Sequence, residues 1–163
     1  MTQSLRMRRV LVLLGIGAIA AIAPLAVLAA TGTFSSALDR QAAKWRTTDV
    51  TTASKRWRDV PGLFRTRCTL NQVTAMLSAT VRGGPVRFRV LIDDGASMKP
   101  GVARFVPDGT ESFAYTFVGN TGPFEANDNH RFSVQWRSPS GATVTMPNGA
   151  LNLLYQQGTQ ACP

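Results

Sequence analysis

From Gln72 to Val81 the apolar side chains occupy every second position: Val73, Ala75, Leu77, Ala79 and Val81. A repeat of two puts all five on one face of an extended chain, and no helix can line them up that way. The same repeat returns downstream. Val86, Phe88, Val90 and Ile92 alternate with outward Arg87 and Arg89, and Phe113, Tyr115 and Phe117 alternate with Ser112, Ala114 and Thr116. Phe132, Val134 and Trp136 alternate with Arg131, Ser133, Gln135 and Arg137, which assigns Trp136 to the core. Shorter strands over Ala103 to Val106, Val144 to Met146 and Leu151 to Tyr155 complete the series.

Turn formers punctuate it. Gly83-Gly84 reads as a two-residue hairpin loop, and Asp94-Gly95, Asp108-Gly109 and Pro147-Asn148-Gly149 read as turns. Seven to eight short strands with turn signals about 8–12 residues apart predict an all-β domain. The expected architecture is a single antiparallel β-sandwich, immunoglobulin-like or jelly-roll in topology.

The N-terminus has a different grammar. Arg6, Arg8 and Arg9 precede a run from Val10 to Ala30 that carries no charge. A basic flank, an apolar stretch and a cleavage candidate at Val27-Leu28-Ala29, with small side chains at the two positions a signal peptidase reads, match an export signal, so residues 1–29 are expected to be a signal peptide or an uncleaved signal anchor. The run is long enough for either, since about 20 residues span a bilayer. Both outcomes leave the basic flank inside and the β domain outside, secreted or on the cell surface. The Gly15-Ile16-Gly17 stretch inside it imitates a dinucleotide fingerprint but lacks the preceding strand.

Residues 30–66 are expected to be a basic linker ahead of a sandwich over residues 67–163. Ser36 followed by Asp39, with Leu38, Ala42 and Trp45 at i, i+4 and i+7, predicts a short helix ending near Arg46. Thr47 to Ser54 is threonine-rich and predicts a poor strand, and Val60-Pro61-Gly62-Leu63 predicts a type II turn. Residues 39–67 hold eight basic side chains against three acids, whereas residues 68–163 hold seven against six. The basicity therefore gathers in the approach to the domain.

Within that approach a tryptophan twice sits between two cations, at Lys44-Trp45-Arg46 and Arg56-Trp57-Arg58. These six residues are the candidate binding site. Indoles favour the membrane interface and each cation adds about 1 kcal/mol near an anionic surface, so the expected partner is anionic lipid or an anionic wall polymer. The competing reading makes Trp57 and Trp45 apolar anchors that dock the segment on the sandwich. Nucleic acid is not expected, because no recognition motif accompanies the charge.

Cys68 and Cys162 are the only cysteines. In an exported chain they predict one disulfide. Its loop would span nearly the whole domain and contribute roughly 4–5 kcal/mol by chain entropy. Simple up-and-down strands would set the two cysteines at opposite ends, so the bond requires either a crossing loop at Gly119 to Asn129 or a tail, Gln156 to Ala161, that runs back along an edge.

Catalytic signals are sparse. His130 is the only histidine, and the neighbouring Glu125, Asn127, Asp128 and Asn129 offer oxygen ligands for calcium without a spaced ligand pattern. No cofactor or metal site is expected. The sequence thus predicts a non-enzymatic exported module for binding or structure at the cell envelope. A secreted carbohydrate-binding module stands as the alternative, and a small hydrolase using His130 as the second.

Overall fold

A computed structural model describes residues 38–122 and 128–157. Nine strands, β1 (Leu38–Arg46), β2 (Val50–Thr52), β3 (Arg58–Gly83), β4 (Val86–Ile92), β5 (Ala96–Ser97), β6 (Ala103–Phe105), β7 (Thr110–Asn120), β8 (Asp128–Arg137) and β9 (Val144–Gln157), form them. Every pairing is antiparallel. No helix among the described residues is long and apolar enough to cross a membrane. The apolar run over Val10 to Ala30 lies outside the described residues.

β3 organises the whole arrangement. Its 26 residues belong to two sheets in turn. The first half, to Thr69, pairs with β8, and the second half pairs with β9 on one edge and β7 on the other. Two irregularities bend it. One lies between Asp59 and Phe64, where Gly62 takes φ 78°, and the other between Leu70 and Val73, where Asn71 takes φ 51°. A bulge inserts residues into one side of a ladder and turns the strand, and asparagine and glycine tolerate the left-handed conformation required. Val60-Pro61-Gly62-Leu63 is therefore a bulge inside one strand and not a chain reversal. Pro147-Asn148-Gly149 is likewise absorbed into β9.

One sheet (sheet A) contains β1 and β2, β9, the second half of β3, and β7. The other (sheet B) contains the first half of β3, β8, β4, and the short β5 and β6. The pairing is nested: β3 with β9 encloses β4 with β8. Gly83-Gly84 consequently carries the chain from one sheet to the other and is not a hairpin loop.

The predicted core faces are the buried ones. Val73, Leu77, Val81, Phe88, Val90, Phe117, Phe132, Val134, Trp136, Leu151 and Leu153 are at most 1% exposed. Phe88 packs on Phe113 of the other sheet at 4.9 Å between ring centroids, joining the two sheets, and on Trp136 of its own sheet at 6.4 Å. Full burial of each large apolar side chain contributes about 1.5–3 kcal/mol, so this interior is the main driving force.

Both open sides of the sandwich-like pair are sewn shut. On one side the backbones of Lys99 and Val118 exchange two hydrogen bonds of 2.8 Å, and the Tyr115 hydroxyl donates to the Arg104 carbonyl at 2.6 Å. On the other, Arg46 Nη1 donates to the Pro61 carbonyl at 2.6 Å, while Arg65 donates to the Ala43 carbonyl through Nε at 3.0 Å and also through Nη2. Charge-assisted bonds of this kind are stronger than neutral ones.

Residues 38–66 correct the expectation of a linker with a short helix. They form β1, β2 and the start of β3. β1 pairs residue for residue with β9, from Leu38 opposite Gln157 to Arg46 opposite Gly149. The helical spacing of Leu38, Ala42 and Trp45 loses to the row of backbone groups on the edge of β9, because sheet context overrides local propensity. Alternation then buries Ala42 and leaves Trp45 68% exposed.

The expected strand directions are also corrected. β3 and β9 are antiparallel neighbours, with Gln156 opposite Leu70, so the end of β9 lies beside the stretch that holds buried Cys68. Neither a crossing loop nor a returning tail is needed to explain a bond. No described cysteine is free, and Cys162 lies outside the described residues.

The sheet-to-sheet crossover gives a sharp test. Gly83 has φ 105°, and a Cβ there would run into the Thr143 carbonyl oxygen; Gly109 has φ 83° with nothing within 4 Å. Gly109→Ala should cost about 1 kcal/mol, from the left-handed backbone alone. Gly83→Ala should cost about 3 kcal/mol or more, because backbone must also move. Denaturant midpoints of the two variants check this, and equal losses would contradict the crossover geometry.

Candidate functional site

The structure separates the two cation–tryptophan–cation triplets, so they do not form one arm. Lys44, Trp45 and Arg46 lie on β1 at the edge of sheet A. Lys44 is half-buried, Trp45 faces outward, and Arg46 is committed to Pro61. Arg56, Trp57 and Arg58 lie at the entry to β3, on sheet B. Arg56 and Arg58 are exposed, while Trp57 is half-buried. The anchor reading thus describes Trp57 and not Trp45.

What holds Trp57 is a pair of guanidiniums that sequence reasoning did not place in the site. Arg89 Cζ lies 4.5 Å from the centre of the Trp57 ring and Arg137 Cζ 4.8 Å from it. Each such contact is worth about 0.5–1 kcal/mol near the surface. Arg89 also donates to Gln135 Oε1 through Nε at 2.9 Å and Nη2 at 2.6 Å, and Gln135 Nε2 donates to Asp59 Oδ1 at 2.8 Å. These side chains share the outer face of sheet B because Val86, Phe88, Val90, Val134 and Trp136 turn inward on the same strands.

The register adds a third cation. Arg87 stands directly opposite Arg137, and Arg89 opposite Gln135. Directly opposed side chains bring their Cβ atoms within about 4.5–5.5 Å, and like charges so placed repel. Among the described residues none of Arg87, Arg89 and Arg137 has a carboxylate within ion-pair distance. Farther along the face, Arg131 Cζ sits 5.0 Å from the centre of the exposed Phe64 ring and its Nη1 donates to Asp94 Oδ2 at 2.9 Å. The signal in the sequence was the outward arginines of the alternating runs; what it lacked was the pairing of β4 with β8.

A second cluster surrounds His130. Asp93 and Asp94 both adopt left-handed backbone, φ 51° and 57°, in the turn between β4 and β5. Asp93 Oδ1 accepts from the Arg131 backbone at 2.8 Å and its Oδ2 lies 2.6 Å from His130 Nδ1. A carboxylate only accepts, so Nδ1 carries the proton. Asp94 Oδ1 accepts from the Ser133 hydroxyl at 3.0 Å. His130 and Ser133 stand three residues apart on one strand and so point to opposite faces. They cannot share a proton relay, and His130 Nε2 is buried without a partner among the described residues. Of the oxygen-rich loop, Glu125 and Asn127 lie outside the described residues, and no cluster of three metal-ligating side chains occurs among those described.

Partial burial tends to raise the Asp93 carboxyl, but the His130 hydrogen bond, the Arg131 backbone bond and the nearby imidazole together hold it below its ordinary value of 3.8. A depressed carboxyl stabilises the fold above its unfolded pKa, and that contribution is lost as pH falls through the lower folded value. Asp93→Asn tolerates the left-handed backbone and keeps an acceptor for Arg131 but loses the charge. It should lower stability by about 1 kcal/mol at neutral pH and flatten the acid limb below pH about 4. Thermal melts across pH check this; an unchanged acid limb would count against the His130 contact.

No protein-family model and no curated protein matches the chain. Solved structures do. A domain of dimeric latent PorU from Porphyromonas gingivalis aligns over 78% of this chain with a TM-score of 0.50 at 11% identity. The chain spans 14% of that protein's length. A Bacillus endospore appendage protein, from a structure described as a family of disulfide-linked pili, aligns over 75% of this chain and 91% of its own, with a TM-score of 0.42 at 12% identity. Broad Bean Stain Virus aligns over 77% of this chain and 92% of its own, with a TM-score of 0.34 at 11% identity. At such identities the likeness to PorU concerns the fold alone: an all-β, sandwich-like antiparallel module.

Proposed function

We propose that this chain is an exported, non-enzymatic β-sandwich module of the cell envelope whose sheet B face binds an anionic wall polymer. The nested strand pairing supports a jelly-roll over an immunoglobulin-like topology. The arginine-flanked run at residues 1–30 supports export, with the sandwich secreted or held at the surface by an uncleaved anchor. A bond between Cys68 and Cys162 fits that compartment.

The observation that carries the binding reading is the Arg87–Arg137 opposition with Arg89 beside it, all three without carboxylate partners among the described residues. Folding brings these charges together at a cost in repulsion, and a polyanion lying along the strands removes that cost. Repeating anions match cations spaced by a strand width in one direction and two residues in the other, about 5 and 7 Å. A flat polymer fits better than a bilayer. Trp57 is half-buried and its ring is engaged by two guanidiniums, whereas an interfacial anchor would project freely.

The test uses the full-length chain with a soluble polyphosphodiester and a polyuronate as probes. Binding should weaken steadily as salt rises. Replacing Arg87, Arg89 and Arg137 together by glutamine should weaken it about a hundredfold, from about 1 kcal/mol per charge. Lys44→Gln, on the other sheet, should leave it unchanged. Tighter binding to anionic vesicles than to either polymer, or no loss in the triple variant, would overturn the reading.

A further inference from the structure

The outer face of sheet A carries a different chemistry. Strand register sets Trp45, Ala150, Ser78 and Ala114 side by side across β1, β9, β3 and β7. The next outward row holds Asn148, Thr80 and Ser112. Small side chains beside a large exposed indole leave a groove of about 260 Å³, bordered by Trp45 on one side and by Thr80, Ser112 and Asn148 on the other. Pockets that enclose a drug-sized ligand run to roughly 300–1,000 Å³, so this groove suits a single small ring.

Its polar groups are already oriented. The Thr80 backbone donates to Asn148 Oδ1 at 3.3 Å, which turns the amide and leaves both Nδ2 hydrogens as donors. Thr80 Oγ1 and Ser112 Oγ lie 2.8 Å apart and share one hydrogen, leaving lone pairs and a second hydroxyl hydrogen free to pair. Among the described residues Arg46 is the one charged side chain lining the groove, and its guanidinium is turned to the Pro61 carbonyl. An anion would find no uncommitted cation there, and a purely apolar guest would leave the hydroxyls and amide unpaired. An uncharged polyol with one C–H face and a hydroxyl rim satisfies both sides. The exposed indole offers that C–H face a flat amphipathic platform.

We infer that this groove is a binding subsite for one uncharged pyranose ring, stacked on Trp45 and hydrogen-bonded by Asn148, Thr80 and Ser112. The inference is independent of the polyanion reading, since the two sites lie on opposite sheets and share no residue.

Saturation-transfer NMR on the full-length chain, with the methyl glycosides of glucose, galactose, mannose and N-acetylglucosamine as probes, tests it. At least one glycoside should show transfer concentrated on the ring C–H protons of one face. Trp45→Ala should weaken binding about tenfold with little change in melting temperature, since the side chain is exposed. Asn148→Ala should weaken it as well, while the Arg87, Arg89 and Arg137 triple variant should bind the glycoside like the wild type. The absence of transfer to all four probes at millimolar concentration, or undiminished transfer in Trp45→Ala, would overturn the subsite. Loss in the triple arginine variant would overturn its independence from the sheet B face.

Discussion

A single strand that belongs to two sheets is the constraint on which this molecule rests. β3 could pair with β8 and then with β9 and β7 only by bending, and it bends where Gly62 and Asn71 accept left-handed backbone. Once it has turned, the inner faces of both halves look into the same interior. Val73, Ala75, Leu77, Ala79 and Val81 then meet Phe88, Val90, Phe132, Val134 and Trp136 across it. The burial of those side chains outweighs what the bulges and the inter-sheet crossings cost. The edge contacts, from Arg46 and Arg65 on one side and from Lys99 and Tyr115 on the other, close a shape that β3 has already imposed.

The same bend distributes the surface chemistry. Because alternation is strict along β4 and β8, the side chains opposite the core are committed to one outer face, and Arg87, Arg89, Arg131 and Arg137 are among them. Along β1, β9 and the second half of β3 the outward positions, which change phase once in β9 around Pro147-Asn148-Gly149, present on sheet A an indole, hydroxyls, amides and apolar groups that include Met76 and Leu154. One face is therefore electrostatic and the other amphipathic, and the apolar interior keeps them apart. The Asp93–Asp94 turn belongs with the architecture: its carboxylates clip the β4–β5 hairpin to β8 through Arg131, Ser133 and His130.

Much of the core was legible in the amino-acid sequence, since a period of two needs only the residues themselves. Trp136 is inside because Phe132 and Val134 are inside. Pairing was not legible. Gly83-Gly84 looks the same whether the chain doubles back on itself or crosses to another sheet, and only the partner of β4 decides between them. Pro61-Gly62 and Pro147-Asn148-Gly149 read as turns because local chemistry favours turns there, and two long strands absorb them: β9 has ladders to β1 and β3 on its two sides, and β3 carries its bulge against β8 on one side. Leu38, Ala42 and Trp45 fit a helix until the free edge of β9 competes for the same backbone.

The candidate site divides along the same line. By itself the sequence determined which side chains could be outward, that the interior would be β-structured and apolar, and that arginine and tryptophan would cluster early in the chain. Those properties follow from composition and alternation, which are local. Tertiary structure alone decided that the Trp57 ring would meet both Arg89 and Arg137, some 30 and 80 residues away in the chain. It alone decided that Arg87 would face Arg137, and that Trp45 would stand beside Ser78 and Ala150. Such neighbourhoods come from strand register between distant segments, and register is chosen by the packing of the whole core, a quantity that no short window of sequence contains.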